Sequence, residues 1–185
     1  MHPIKLSTLA RAVALCAGAL VFASGAQAAG DKTAYNQTKA SAKSTYDGDK
    51  KMCDAMAGNA KDICVAEAKA KRTRADETAE AEWKNTPKAR ERAQHEIAEA
   101  DYQVAKERCD DKGGNDKDVC VKEAKAAMVK VQADAKASKK GSEARKDAAE
   151  DKRDADYKVA AEKCDALSGD AKGSCMSSAK AKFGK

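Results

Sequence analysis

The chain has 185 residues and a formal net charge of +6, with 36 Lys and Arg against 30 Asp and Glu. Aromatic residues make up only 4% of the sequence, and Leu167 is the only leucine beyond residue 28. These numbers exclude a large apolar core, because large aliphatic side chains are too sparse to bury much area. Basic and acidic residues are interleaved and no aromatic-rich basic stripe is present, which argues against nucleic-acid binding.

Residues 1–28 have the pattern of a secretory signal peptide. Lys5 and Arg11 give a positive start, an apolar run follows from Ala12 to Phe22, and Ala26-Gln27-Ala28 is a small-x-small cleavage site. The run is shorter than the roughly 20 residues that a membrane span needs, so we predict cleavage and no transmembrane segment in the mature chain. Removal of Cys16 leaves an even six cysteines, which favours an oxidising compartment. The predicted location is the periplasm, with secretion as the alternative.

A motif bounded by two cysteines occurs three times after residue 28. It reads CDAMAGNAKDIC at 53–64, CDDKGGNDKDVC at 109–120 and CDALSGDAKGSC at 164–175. In each copy Asp follows the first cysteine, Gly lies five residues beyond that cysteine and Lys lies eight beyond it. The Gly is followed by Asn or Asp in the pairs Gly58-Asn59, Gly114-Asn115 and Gly169-Asp170.

This motif predicts two helices joined by a tight turn. Gly suits the left-handed position that closes a helix, and Asn or Asp after it is a good N-cap for the next helix. The two cysteines would then lie at matching heights on antiparallel helices, within reach of a disulfide. The predicted bonds are Cys53–Cys64, Cys109–Cys120 and Cys164–Cys175. In the alternative, one unbroken helix puts both cysteines on one face, where they pair with another repeat or chain.

Six helices are predicted in chain order. Repeat 1 (29–86) contains helices at about 32–53, which Gly48 interrupts, and at about 60–83. Asn85-Thr86-Pro87 ends that repeat, with Thr86 as N-cap and Pro87 at the first helical position. Repeat 2 (87–141) contains helices at about 87–110 and 116–138. Lys140-Gly141-Ser142 makes the next break, with Ser142 as cap, and repeat 3 (142–185) contains helices at about 143–166 and 171–182.

The predicted fold is all-α, with three tandem disulfide-stapled helical hairpins that are either extended in a row or loosely bundled. The contact stripes are mostly alanine; in repeat 2 they are Cys120, Ala124, Ala127, Val131 and Ala135 against Ala98, Tyr102, Ala105 and Cys109. A disulfide that closes a loop of this size is worth about 3 kcal/mol, so we expect the structure to depend on oxidation.

Aromatic residues recur at one place in the repeat. Tyr46, Tyr102 and Tyr157 each lie seven residues before the first cysteine, which puts them on the cysteine stripe. We interpret them as core residues, with ligand stacking as the alternative. Trp83 lies at a helix end, either as a cap over the end of the bundle or as an exposed contact.

No catalytic or metal-binding constellation is visible. His95 is the only histidine after residue 28, and cysteines in disulfides are not metal ligands. Nucleophilic catalysis needs a base beside the nucleophile, and the sequence shows no such pair. Redox-active cysteines are usually separated by two residues rather than ten. We therefore predict no enzyme activity, no cofactor and no metal.

The helices rich in Ala, Lys and Glu, such as AEAKAK at 66–71 and KEAKA at 122–126, resemble the helical middle region of TolA-like cell-envelope proteins. That resemblance implies a long periplasmic spacer that links envelope partners. The membrane anchor and the C-terminal globular domain of that family are not visible in this sequence.

The predicted function is that of a non-enzymatic structural or interaction module of the bacterial cell envelope. The expected partner is an envelope protein or an anionic envelope polymer. A stress or hydration protectant, or a binder of anionic envelope components, is the alternative.

Overall fold

Helix-forming residues dominate the part of the chain that the computed structural model describes, residues 30–185. This part contains five α-helices and no strand. The helices are α1 (Lys32–Cys53), α2 (Gly58–Lys84), α3 (Pro87–Cys109), α4 (Gly114–Asp165) and α5 (Gly169–Phe183). The all-α fold and the presence of disulfides are confirmed, whereas the predicted number of six helices is wrong. The signal-peptide prediction and Cys16 fall outside the described residues.

Helix α1 is continuous, so the interruption predicted at Gly48 is wrong. Asp31 caps its N-terminus by accepting a hydrogen bond from the Thr33 backbone N–H at 2.7 Å. A glycine inside a helix costs about 1 kcal/mol relative to alanine. An ion pair between Lys43 and Asp47 at 2.7 Å spans the turn next to Gly48. Packing of α1 against α2 adds further support, so the single glycine does not end the helix.

The break between α2 and α3 is confirmed in detail. Asn85 closes α2 in the left-handed conformation, with φ of 44°. Thr86 is the N-cap of α3, and its hydroxyl accepts a hydrogen bond from the Ala89 backbone N–H at 3.1 Å. Pro87 follows at the start of the helix, where its missing N–H leaves no hydrogen bond unmade.

The break predicted at Lys140-Gly141-Ser142 is wrong, because α4 continues through it for 52 residues. At 1.5 Å per residue, α4 is about 78 Å long. The Ser142 hydroxyl donates a hydrogen bond back to the Ser138 carbonyl at 2.9 Å instead of capping a new helix. No proline follows the glycine, so nothing forces the chain to turn. The second helix of repeat 2 and the first of repeat 3 are therefore one element, and the predicted boundary at 141/142 lies inside it.

The helices form a row rather than a closed bundle. Within residues 30–185, α1 contacts α2, α2 contacts α3, α3 contacts α4 and α4 contacts α5, and no other pair of helices is in contact. The first part of α4 packs on α3 and the last part on α5, while residues 143–153 between them are exposed. Each helix therefore contacts only its neighbours along the chain.

Buried side chains are mostly small. Nine of the fourteen buried apolar residues are alanine, and three more are the first cysteines of the disulfides. In repeat 2 the predicted contact stripe on α4 is wrong at Ala127 and Val131, which are exposed. Met128 and Gln132 are half-buried in their place, since the partly buried positions there follow a spacing of four residues from Cys120 and Ala124 rather than an alternation of three and four. Thin seams between neighbouring helices replace a common core.

Candidate functional site

The three disulfides each join the end of one helix to the start of the next. The bonds are Cys53–Cys64, Cys109–Cys120 and Cys164–Cys175, with Cα atoms 5.5, 5.7 and 5.6 Å apart. The first cysteine of each pair is at most 1% exposed. The first sulfur is closed to thiol attack and the second, in Cys64, Cys120 and Cys175, is only half-buried, so the geometry favours a structural cross-link without closing both sulfurs to attack.

Each turn depends on a glycine with positive φ. Gly58, Gly114 and Gly169 have φ of +60°, +54° and +56°, in the left-handed region that the sequence predicted for them. Each is the first residue of the following helix rather than the closing residue of the preceding one. A side chain there would be strained, because Cβ approaches the following carbonyl oxygen in this conformation.

The prediction that Asn59, Asn115 and Asp170 are N-caps is wrong. The N-cap positions are occupied by Ala57, Gly113 and Ser168, none of which makes a side-chain capping bond. Because the left-handed glycine starts the helix one residue earlier, Asn59 lies inside the first turn. Its side-chain amide donates to the Glu107 carbonyl at 3.0 Å and to the Asp111 carboxylate at 2.7 Å. Asn59 therefore links repeat 1 to repeat 2.

An ion pair across each turn accounts for the Asp and the Lys that recur in every copy of the motif. The pairs are Asp54–Lys61 at 3.2 Å, Asp110–Lys117 at 2.9 Å and Asp165–Lys172 at 2.9 Å. The hydrogen bond from Lys61, with a further one from Lys50, lowers the pKa of Asp54. These ion pairs could have been predicted from the sequence. Asp and Lys carry opposite charges and lie at fixed distances from the first cysteine in every copy, on the two sides of the turn.

Charged side chains also dominate the contact between α2 and α3. Arg74 binds Asp101 through two hydrogen bonds of 2.7 and 2.8 Å. Further pairs are Arg108–Glu67 at 2.5 Å, Arg92–Glu77 at 2.9 Å and Arg92–Glu80 at 2.6 Å. The hydrogen bond from Lys84, followed by that from Arg92, lowers the pKa of Glu80. Opposite charges thus set the register of these two helices over an alanine-rich seam.

Trp83 and Tyr35 form an aromatic stack at the end of the α1–α2 pair. Their ring centroids are 4.8 Å apart and the planes are inclined by 23°. The Gly30 N–H donates to the Trp83 carbonyl at 2.8 Å, and a Cβ on Gly30 would come within 2.6 Å of the Glu82 carbonyl oxygen. Trp83 therefore closes the end of this helix pair.

The recurring tyrosines are half-buried rather than core residues. Tyr46, Tyr102 and Tyr157 all have intermediate exposure. The guanidinium of Arg72 lies 5.4 Å from the centre of the Tyr46 ring, and Tyr157 meets Phe183 edge to face at 6.4 Å. These rings pack between neighbouring helices while their rims remain in water. The interpretation of these tyrosines as core residues is therefore not borne out, because helices that contact only their neighbours have too little interior to cover them.

The remaining grooves are open and lined by side chains of both charges. A groove of about 730 Å³ between α2 and α3 includes Lys61, Lys69 and Glu99. Among residues 30–185 no group of three His, Cys, Asp or Glu side chains could hold a metal ion. In the same part of the chain no helix is both long enough and apolar enough to span a membrane. Comparison with protein families, with curated proteins and with solved structures gives no match.

Proposed function

We propose that the protein is a non-enzymatic, exported structural or interaction module of the bacterial cell envelope. The observation that carries the proposal is the row of helices with a disulfide at each of its three cysteine turns. A row exposes both faces of every helix pair to partners, whereas a closed bundle hides one. In this proposal each disulfide-linked helix pair acts as one hairpin module.

The disulfides support an oxidising location. Disulfides persist in secreted and periplasmic proteins and are rare in the reducing cytosol. We place the protein in the periplasm after cleavage at residue 28, with secretion into the medium as the alternative. In either compartment, a thin alanine-rich core needs the cross-links, because burial of alanine contributes little hydrophobic stabilisation.

The length of α4 supports a spacer role of the kind that the TolA-like resemblance implies. A helix of about 78 Å spans about two and a half times the diameter of a small domain. Without the two basic residues of the signal segment, the chain carries 34 basic and 30 acidic side chains, which leaves a modest net charge of +4. Charges of both signs are spread along every helix, which favours a partner protein over a purely anionic polymer.

Cross-linking in living cells tests the proposal. A photoreactive amino acid would replace exposed Lys69 in the full chain, with the buried position Ala42 as the matched control. We expect an adduct with a defined protein of the envelope fraction from position 69 and none from position 42. The adduct should be lost when the cysteines of repeat 1 are replaced by alanine.

The alternatives give different results in the same series. An anionic polymer partner gives no protein adduct and binding that fades as salt rises, since salt screens exposed charges. A protectant preserves a test enzyme through drying whether or not the disulfides are intact. Adducts that do not depend on the disulfides, or no protein adduct from any exposed position, would contradict the proposed module.

A further inference from the structure

The residues that form the contact between α2 and α3 recur later in the sequence, but the second set does not form the same contact within one chain. Equivalent residues lie 56 positions apart between repeats 1 and 2 and 55 apart between repeats 2 and 3, as measured from Cys53, Cys109 and Cys164. The counterpart of α2 is therefore the first half of α4, and the counterpart of α3 is the second half. The chain turns between α2 and α3 at Asn85-Thr86-Pro87, but α4 runs straight through the matching position. Both halves of one interface thus lie on a single helix and cannot meet each other.

The charges of this second set are complementary at three matching positions. Three ion pairs of the α2–α3 contact have counterparts on α4. Glu67–Arg108 corresponds to Glu123 and Lys163, and Arg74–Asp101 corresponds to Lys130 and Asp156. Glu80–Arg92 corresponds to Lys136 and Asp147. All six residues on α4 are exposed. In the third pair both signs are reversed, so complementarity is kept although the individual residues are not.

Apolar residues of the second set are also exposed. Val104 is 9% exposed in the α2–α3 contact, and its counterpart Val159 is 55% exposed. Val129, the counterpart of Thr73, is 50% exposed. Three buried alanines of the contact have exposed alanine counterparts: Ala70 with Ala126, Ala81 with Ala137, and Ala93 with Ala148. One position departs from the pattern, since buried Ile97 corresponds to Lys152.

These exposed residues form one face of α4, turned away from α3. Ala126 and Ala155 are separated by 29 residues, or about eight helical turns, and therefore lie on the same side. Ala135, which packs toward α3, is about two and a half turns from Ala126 and lies on the opposite side. The free face is therefore continuous across the segment at 140–142 where repeats 2 and 3 join.

We infer that two copies of the chain form a symmetric dimer in which the α4 helices pack antiparallel across this face. Lys130 and Asp156 are equidistant from residue 143, and so are Glu123 and Lys163. Antiparallel packing about that residue therefore places the charges of these two pairs opposite each other on the two copies, and two-fold symmetry forms each pair twice. Lys136 and Asp147 are offset from this register by three residues, as Glu80 and Arg92 are offset from the other two pairs of the α2–α3 contact. The first half of α4 in one copy then binds the second half in the other, as α2 binds α3. At each end of the dimer, α1, α2, α3 and the first half of α4 from one copy are followed by the second half of α4 and α5 from the other copy.

Charge reversal tests the dimer in the purified oxidised chain. Light scattering after size exclusion should give twice the mass of one mature chain. Lys130→Glu should weaken dimerisation about tenfold, because symmetry breaks the pair twice. Adding Asp156→Lys should restore it. The control Lys146→Glu makes the same charge change on the opposite side of α4 and should have no effect, and circular dichroism should show equal helicity in all variants.

Cross-linking near the symmetry axis gives a second measurement. Ala144→Cys lies on the free face one residue from the axis and should form a disulfide between two chains. Ala149→Cys is also exposed, but it lies six residues from the axis and is turned away from the free face, and should not. A monomer by mass, or a failure of the Lys130→Glu and Asp156→Lys pair to restore dimerisation, overturns the inference. So does a compact monomer in which α4 bends at 140–142 to form these pairs within one chain. The measurement uses the isolated protein, so its outcome does not depend on the proposed envelope partner.

Discussion

Helix α5 is held by α4 alone, so the third disulfide should decide whether it stays docked. Within the described residues α5 contacts no other helix. Its non-covalent contacts are small: the edge of Tyr157 against Phe183, the ion pair of Lys185 with Asp154, and the pair Lys172–Asp165 across the turn. The change to make is Cys164→Ala together with Cys175→Ala, which leaves no free thiol and no buried hydroxyl.

The magnitude follows from the loop that the disulfide closes. The two cysteines are 11 residues apart in sequence, and the chain-entropy relation gives about 3 kcal/mol for a loop of this size. Since about 1.4 kcal/mol corresponds to a factor of ten, the undocked state of α5 should become roughly 100-fold more populated. Hydrogen exchange of the backbone amides measures this population, and amides of 169–183 should exchange faster by that factor.

The matched control is Cys53→Ala with Cys64→Ala. It should speed exchange in α1, which contacts only α2, and leave the amides of α5 unchanged. Protection of α5 that survives loss of its own disulfide would refute the reasoning, because it would show that the alanine seam holds the helix without the cross-link.

Four further substitutions test local features. Gly114→Ala should lower the free energy of unfolding by about 1 kcal/mol because φ there is +54°, whereas Gly48→Ala, inside α1, should raise it by about 0.5–1 kcal/mol; thermal melting of the two variants should shift in opposite directions. Thr86→Ala removes the N-cap of α3 and should cost about 1 kcal/mol in urea unfolding; an unchanged midpoint would contradict the capping role. Lys84 holds the pKa of Glu80 below its ordinary value, so this stabilisation is full above that value and is lost as the pH falls through the lowered pKa. Melting temperatures should therefore fall below about pH 4.5, and less steeply in Glu80→Gln.

Some features that depend on neighbouring residues could be read from the sequence, although the N-caps predicted at Asn59, Asn115 and Asp170 were wrong. The turn at Asn85-Thr86-Pro87 was predicted down to the capping hydroxyl, because a cap and a proline act within one helical turn. The left-handed glycines of the cysteine turns were predicted for the same reason. The role of Asn59 could not be predicted, since its partners Glu107 and Asp111 lie about 50 residues away and belong to another repeat.

The junction at 140–142 shows where local rules were too weak. Gly141 and Ser142 permit a break but do not require one, and the Ser142 hydroxyl has an acceptor in the preceding turn of an unbroken helix. Ion pairing between α3 and the end of the packed part of α4, Lys139 with Glu91 at 2.9 Å, holds the helix up to that point. Each of these contributions to the free energy is small, so contacts with the rest of the structure decide whether the helix continues through 140–142.

The sequence by itself determined that this chain is helical, that cysteine turns recur along it and where the chain can bend, because propensity, glycine and disulfide spacing act over a few residues. Tertiary structure alone decided that each helix contacts only its neighbours along the chain, that repeats 2 and 3 share α4 and that one face of that helix has no contact within the chain. The physical reason is that one alanine-rich helix face packs about as well against any other. Charge pairs and turns that link distant segments therefore decide which two helices pack together.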